Sequence, residues 1–150
     1  MRVFSNVAEF TAAKGEELGH SDWHDVTQEQ VNTFADATGD HQWIHVDLER
    51  AAAGPFGGPI AHGFLTLAML PVLTQEIYQI EHLTMAVNYG LDRVRFPSPV
   101  PVGARIRAAA TLRDVKETSL GQLCYSRVTI EVEGQSKAAC IADTVTLLVG

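Results

Sequence analysis

Two periods of apolar residues divide this chain into a helical first half and a strand-rich second half. Between Thr27 and Gly39, the residues Val31, Phe34, Ala35 and Thr38 keep the i, i+3, i+4, i+7 spacing of one helix face. Thr27-x-x-Gln30 in front of them reads as a capping box that starts this helix. Gly39 predicts its end, because glycine readily takes the left-handed conformation that closes helices. Upstream, Val7 to Ala13 predicts a short helix within a lead-in of residues 1–21, and Asp22 to Val26 alternates polar and bulky residues like a short strand. Downstream, Asp47 to Ala53 suits one or two helical turns, and Gly54-Pro55-Phe56-Gly57-Gly58-Pro59 is a loop by its glycines and prolines.

From Ile60 to Ile80 apolar residues occupy nearly every side, which predicts a helix buried all round at the core of the fold. Pro71 inside it removes a helical hydrogen bond, so a kink or break is expected between Leu67 and Pro71. The remainder reads as strands: Met85 to Leu91, Arg93 to Phe96, Ala104 to Val115, Gln122 to Val132 and Lys137 to Val149. They are separated by Pro97-Ser98-Pro99-Val100-Pro101, Ser119-Leu120-Gly121 and Glu133-Gly134-Gln135. One buried helix followed by an antiparallel meander is an α+β arrangement with the sheet wrapped around the helix.

Composition narrows this picture. At 150 residues, 46% hydrophobic and 19% charged, the chain suits a single domain, 1–150, with a core of its own. The net charge of −7 and the absence of any Lys/Arg-rich run give no electrostatic footprint for nucleic acid or an anionic membrane. No stretch reaches the roughly 18 apolar residues of a membrane span, and Met1 to Asn6 opens no signal peptide, so a cytoplasmic protein is expected. Cys124 and Cys140 lack metal or redox spacing and sit in strand-like runs, as buried free thiols do.

The candidate chemistry lies just after the first strong helix, in Thr38-Gly39-Asp40-His41-Gln42-Trp43-Ile44-His45. Asp40 and His45 on a continuous helix would be turned by about 500° and point apart. They converge only if the backbone bends, and Gly39 supplies the bend, with irregular backbone expected after it. A carboxylate beside an imidazole can exchange protons near neutral pH. His62-Gly63 opens the central helix, where unpaired N–H groups face outward; Gly63 there either admits a ligand close to the backbone or permits tight packing. An oxyanion at such a donor is stabilised by about 3 kcal/mol. His41, His45 and His62 form no recognised metal motif, no serine sits in a nucleophile elbow, and no phosphate loop is present, so neither a metal nor another cofactor is expected.

The run Phe34-x-x-x-Thr38-Gly39-Asp40-x-Gln42-Trp43-Ile44-His45, with Ala51 after five more residues, resembles the signature of the (R)-specific enoyl-CoA hydratases of the MaoC-like dehydratase family. The likeness continues through Pro59-Ile60-Ala61-His62-Gly63, through Asn88-Tyr89-Gly90-Leu91-Asp92-Arg93-Val94-Arg95-Phe96 and through Pro99-Val100-Pro101-Val102-Gly103. It implies a hot-dog fold, a long helix wrapped by an antiparallel sheet, in a homodimer whose sheets join and whose active sites lie near the interface. It implies an acyl-CoA thioester substrate. Asp40 and His45 would activate the water that adds to C3 of a trans-2-enoyl-CoA, and the Gly63 N–H would hold the thioester oxygen, giving an (R)-3-hydroxyacyl-CoA. Gln42, Trp43, His62, Asn88 and Arg93 are the implied substrate contacts, although Arg93 and Arg95 read more readily as a solvated strand face. Many members carry Asn-Pro where Gln42-Trp43 stands, a change that bears on acyl length. Phe56, Leu65 and Leu67 read as acyl-tunnel wall or plain core. Two alternatives remain: an acyl-CoA thioesterase on the same fold, and a non-catalytic acyl-binding hot-dog subunit.

Overall fold

The computed structural model describes every residue from Met1 to Gly150. Strand β1 (Arg2–Phe4) leads into helix α1 (Val7–Ala12), capped by Asn6, and strands β2 (Glu17–His20) and β3 (His24–Asp25) follow. Helix α2 (Gln28–Thr38) starts at the capping signal, where Thr27 Oγ1 accepts from the Gln30 N–H at 3.1 Å. The Gln30 side chain donates to Met69 Sδ instead of closing the box. Gly39 ends the helix with φ 82°, in the left-handed region.

The backbone is irregular after Gly39, as expected, but only as far as Gln42. Trp43–Val46 forms a single helical turn, α3, and Leu48–Ala52 a second, α4, capped by Asp47. The turn forms because its ends are satisfied from outside: Asp40 Oδ1 accepts from the Gln42 N–H at 3.3 Å, and Gln28 Nε2 donates to the His45 carbonyl at 2.8 Å.

The central helix runs as two pieces, α5 (Gly63–Ala68) and α6 (Leu70–Ile77). Pro71 has no N–H to give the Leu67 carbonyl, and the break falls in the expected interval. Met69 joins the two pieces: its N–H donates to the Leu65 carbonyl at 3.0 Å and its carbonyl accepts from the Leu73 N–H at 3.1 Å. Burial on all sides is corrected: Leu65, Leu70, Leu73 and Ile77 face inward, whereas Phe64 is 71% and Val72 46% exposed. The helix is amphipathic, with an apolar outer face that its own chain leaves uncovered.

Strand β4 (Tyr78–Ile80) follows, then β5 (Met85–Arg95), β6 (Arg105–Glu117), β7 (Gln122–Val132) and β8 (Cys140–Val149). The two runs expected from Met85 to Phe96 are one strand, because irregularities between Asn88 and Gly90 and between Leu91 and Arg93 shift the register against β8 without ending the pairing. The lead-in also contributes strands that its short apolar runs did not reveal: β1 pairs with β4 in parallel, and β2 with β6 antiparallel. The main sheet has the order β2-β6-β7-β8-β5, with β3 also on β6. Its inner face carries Ala108, Ala110 and Ala142, all buried, and these small side chains let the helix approach closely. Leu73 and Ile77 of α6 belong to the same cluster as Leu112, Val128 and Ile130 of the sheet. A helix lying in a curled antiparallel sheet is the hot-dog arrangement.

Candidate active site

Three segments meet at the start of the central helix. The loop after α2 brings Asp40, helix α3 brings His45, and the N-cap of α5 brings His62. One side-chain donor atom from each lies within 4.8 Å of the others. Asp40 is exposed, while His45 and His62 are buried.

His45 is held from both sides. The Ile60 N–H donates to the Ile44 carbonyl at 3.0 Å, and His45 Nδ1 lies 2.6 Å from the Ile60 carbonyl. A carbonyl only accepts, so Nδ1 carries the proton and Nε2 is left with a bare lone pair. Burial pushes the His45 pKa below its ordinary value; the Ile60 hydrogen bond works against this, His62 adds to it, and Asp40 again opposes it. The net result is a neutral imidazole at physiological pH, the state a proton acceptor needs.

His62 Nε2 donates to the Asp40 backbone carbonyl at 2.9 Å, and its ring lies on that of His45 with centroids 3.9 Å apart and 25° between planes. This stack bears on the metal question. The lone pairs of two nearly parallel rings run side by side in separate planes, so Asp40, His45 and His62 do not aim at one ion as they stand. His41 points elsewhere, its Nε2 2.8 Å from Asp36 Oδ1, and that hydrogen bond raises its pKa.

A cleft of about 410 Å³ borders His45 and Gly63, walled by Ile44, Phe56, Thr66 and Phe96. His62 gives α5 no side-chain cap, and the Gly63 N–H, in the first turn, has no partner within the helix. A Cβ at Gly63 would sit 3.3 Å from the Phe96 ring, so packing also favours glycine here. The segment Phe96–Val100 forms the far wall; in the sequence it was a proline-rich separator whose ends, Phe96 and Pro99-Val100, also belonged to the resembling stretches. It is held in place by backbone pairing, from Ala61 N to Val100 O at 2.8 Å and from Val102 N to Pro59 O at 3.0 Å.

A family model described as MaoC like domain matches residues 9–135. The chain is 56% identical over 146 residues to the 3-hydroxyacyl-thioester dehydratase Z of Mycobacterium tuberculosis strain H37Rv, covering 97% of each. The chain belongs to the MaoC-like domain family. Among solved structures, this MaoC-like domain superposes with a TM-score of 0.79 on a monoamine oxidase regulatory protein from Archaeoglobus, at 24% identity and covering 99% of this chain and 97% of that one. An (R)-hydratase from A. caviae gives a TM-score of 0.73 at 21% identity, covering 89% of this chain and 95% of that one. These likenesses show the hot-dog fold.

Not every residue singled out in the sequence reaches the cleft of this MaoC-like domain. Trp43 turns away from it, lying under the Arg50 guanidinium at 4.4 Å and against Gly54. Gln42 is exposed at the N-cap of α3. Asn88 borders a separate groove of about 560 Å³ beside Thr74 and Tyr78 at the other end of α6. Arg93 is exposed on β5 and paired in register with Asp143, whose carboxyl is held low chiefly by its bidentate contact with Arg127. Leu65 and Leu67 border other surfaces, whereas Phe56 does line the cleft. What sequence reasoning missed is the Ile60 carbonyl, a main-chain group with no sequence signal, which sets the tautomer of His45.

Proposed function

We propose that this MaoC-like domain is a hydro-lyase that adds water to a trans-2-enoyl-CoA to give the (R)-3-hydroxyacyl-CoA, and catalyses the reverse dehydration. The observation that carries this reading is the bare Nε2 of a neutral His45, pinned through Nδ1 to the Ile60 carbonyl, beside the Asp40 carboxylate. In the hydration direction a water held by Asp40 and His45 gives up a proton as its oxygen bonds to C3. The C2–C3 π electrons move toward the thioester, and the resulting enolate-like oxygen takes the Gly63 N–H. A proton returned to C2 completes the addition. The related dehydratase carries a thioester in its name, and 56% identity across nearly the whole chain supports a thioester here.

The same reading makes the protein a homodimer in the cytoplasm, built through β5. That strand ends the sheet with one edge unpaired, and Met85, Val87, Tyr89 and Leu91 on it are exposed. No helix is long and apolar enough to cross a membrane.

The test is loss of the enoyl-thioester absorbance with crotonyl-CoA, read with a thiol assay in parallel. Hydration removes the band without free thiol. Release of thiol would replace this reading with a thioesterase, and silence in both assays would replace it with an acyl-binding subunit. Asp40→Asn and His45→Gln are each expected to lower turnover by about 10²- to 10⁴-fold with the fold intact.

A further inference from the structure

His62 is a buried titratable group that the hydration chemistry leaves without a part. We propose that His62 is a positioning residue which locks Asp40 to His45 and does not touch the substrate; the proposal rests on the reading of the Asp40/His45 pair given above.

Its contacts all run to the pair or its supports. Nε2 donates to the Asp40 carbonyl at 2.9 Å, one face of the ring lies on His45, and Phe34 of α2 packs on the ring with centroids 4.8 Å apart. Thr66 Oγ1 donates back to the His62 carbonyl at 3.3 Å. Of Asp40, His45 and His62, only His45 lines the cleft; Asp40 is exposed beside it, whereas His62 is 2% exposed and lies buried against the His45 ring. A ligand in that cleft therefore meets His45 and the Gly63 backbone, with His62 behind them.

A purely structural role does not explain the choice of histidine. Its Nδ1 is buried without a partner, which is a cost that a phenylalanine would avoid. Phenylalanine would keep the stack and lose the donor to Asp40, and glutamine would keep a donor and lose the stack. Histidine supplies both at once. Asp40 hangs on a loop that begins with a left-handed glycine, so a fixed backbone carbonyl there fixes where the carboxylate can go. The groups of charge that face His45 are Asp40, from the loop after α2, and His62, from the start of α5; the loop carrying Ile60 offers only a carbonyl. An imidazole stacked on His45 also opposes the arrival of a proton on it.

The experiment measures crotonyl-CoA hydration across pH for the wild type, His62→Phe, His62→Gln and, in parallel, Asp40→Asn. His62→Phe is expected to lower kcat by about 10- to 100-fold, the scale of a small misplacement, with KM within about threefold. His62→Gln is expected to recover part of that loss. In both, the acidic limb of the kcat/KM profile moves to higher pH, because the group that disfavours protonation of His45 is gone. A structural role alone would lower the folded fraction without moving that limb. If His62→Phe fails to fold, His62→Gln carries the same readouts. Unchanged kcat, a rise confined to KM, or an unmoved acidic limb would each overturn the proposal. Loss of turnover in Asp40→Asn with none in the His62 variants would overturn it alone, while full activity in Asp40→Asn would overturn the reading of the pair itself.

Discussion

At the scale of single residues, the decisive contact is the one between His45 Nδ1 and the Ile60 carbonyl, because it assigns the proton to one nitrogen and the chemistry to the other. It also sets a pH dependence with a definite sign. The unfolded chain protonates this imidazole near pH ~6.5, while burial holds the folded group below that. The stability His45 contributes is therefore complete above ~6.5 and lost as pH falls through its lower folded value. His41 acts with the opposite sign, its contribution complete below ~6.5 and lost as pH rises through its raised folded value, but it is exposed and its pair with Asp36 is screened. Thermal melts from about pH 7.5 down to about pH 5.5 should show a larger loss of Tm in the wild type than in His45→Gln. Equal losses would mean that His45 takes its proton normally in the folded protein. Turnover should fall over the same range, since only neutral His45 accepts a proton.

At the scale of elements, the site depends on where helix α2 stops. Gly39 has φ 82° with no atom near the place of a Cβ, so alanine there meets backbone strain and no clash. Gly39→Ala is expected to cost about 1–2 kcal/mol in denaturant unfolding and to lower turnover further than that loss explains, because Asp40 follows directly. Activity unchanged at full folding would mean that the Asp40 loop finds its place without Gly39. The central helix makes a different demand. Leu73 is fully buried against the sheet, and Leu73→Ala should cost about 2–5 kcal/mol while leaving kcat of the folded fraction near that of the wild type. These two variants separate the part of the helical framework that aims the site from the part that only holds the fold.

At the scale of the whole molecule, the apolar surface left uncovered lies along β5 and the outer face of α5 and α6. Tyr89 is 68%, Phe64 71% and Leu91 48% exposed, on and beside a strand whose second edge is unpaired. An unpaired edge of this kind is a place for another strand. Leu91→Glu is expected to convert a dimer of about twice the 16.3 kDa chain into a monomer in light scattering. A wild-type monomer would remove the homodimer from the proposed function. The charge of −7 is carried on a surface that also holds paired ions such as Arg105 with Glu133 and Arg107 with Glu131.

The sequence by itself determined what depends on neighbours along the chain. The start and end of α2 follow from Thr27 and Gly39, the break in the central helix from Pro71, and the extent of β7 from alternation between turn signals. The meeting of Asp40 with His45 was legible because both lie within a few residues of one glycine bend. Tertiary structure decided whatever depends on groups distant in the chain. Strands β1 and β2 are too short to announce themselves and exist through partners far along the sequence. Burial of the central helix on one side only reflects where the sheet ends, which apolar content cannot tell. Trp43 and Asn88 leave the cleft because their backbone directions are set by packing. The tautomer of His45 and the stack of His62 upon it come from a carbonyl and a ring brought together across 15 and 17 residues of chain, a proximity that no local pattern encodes.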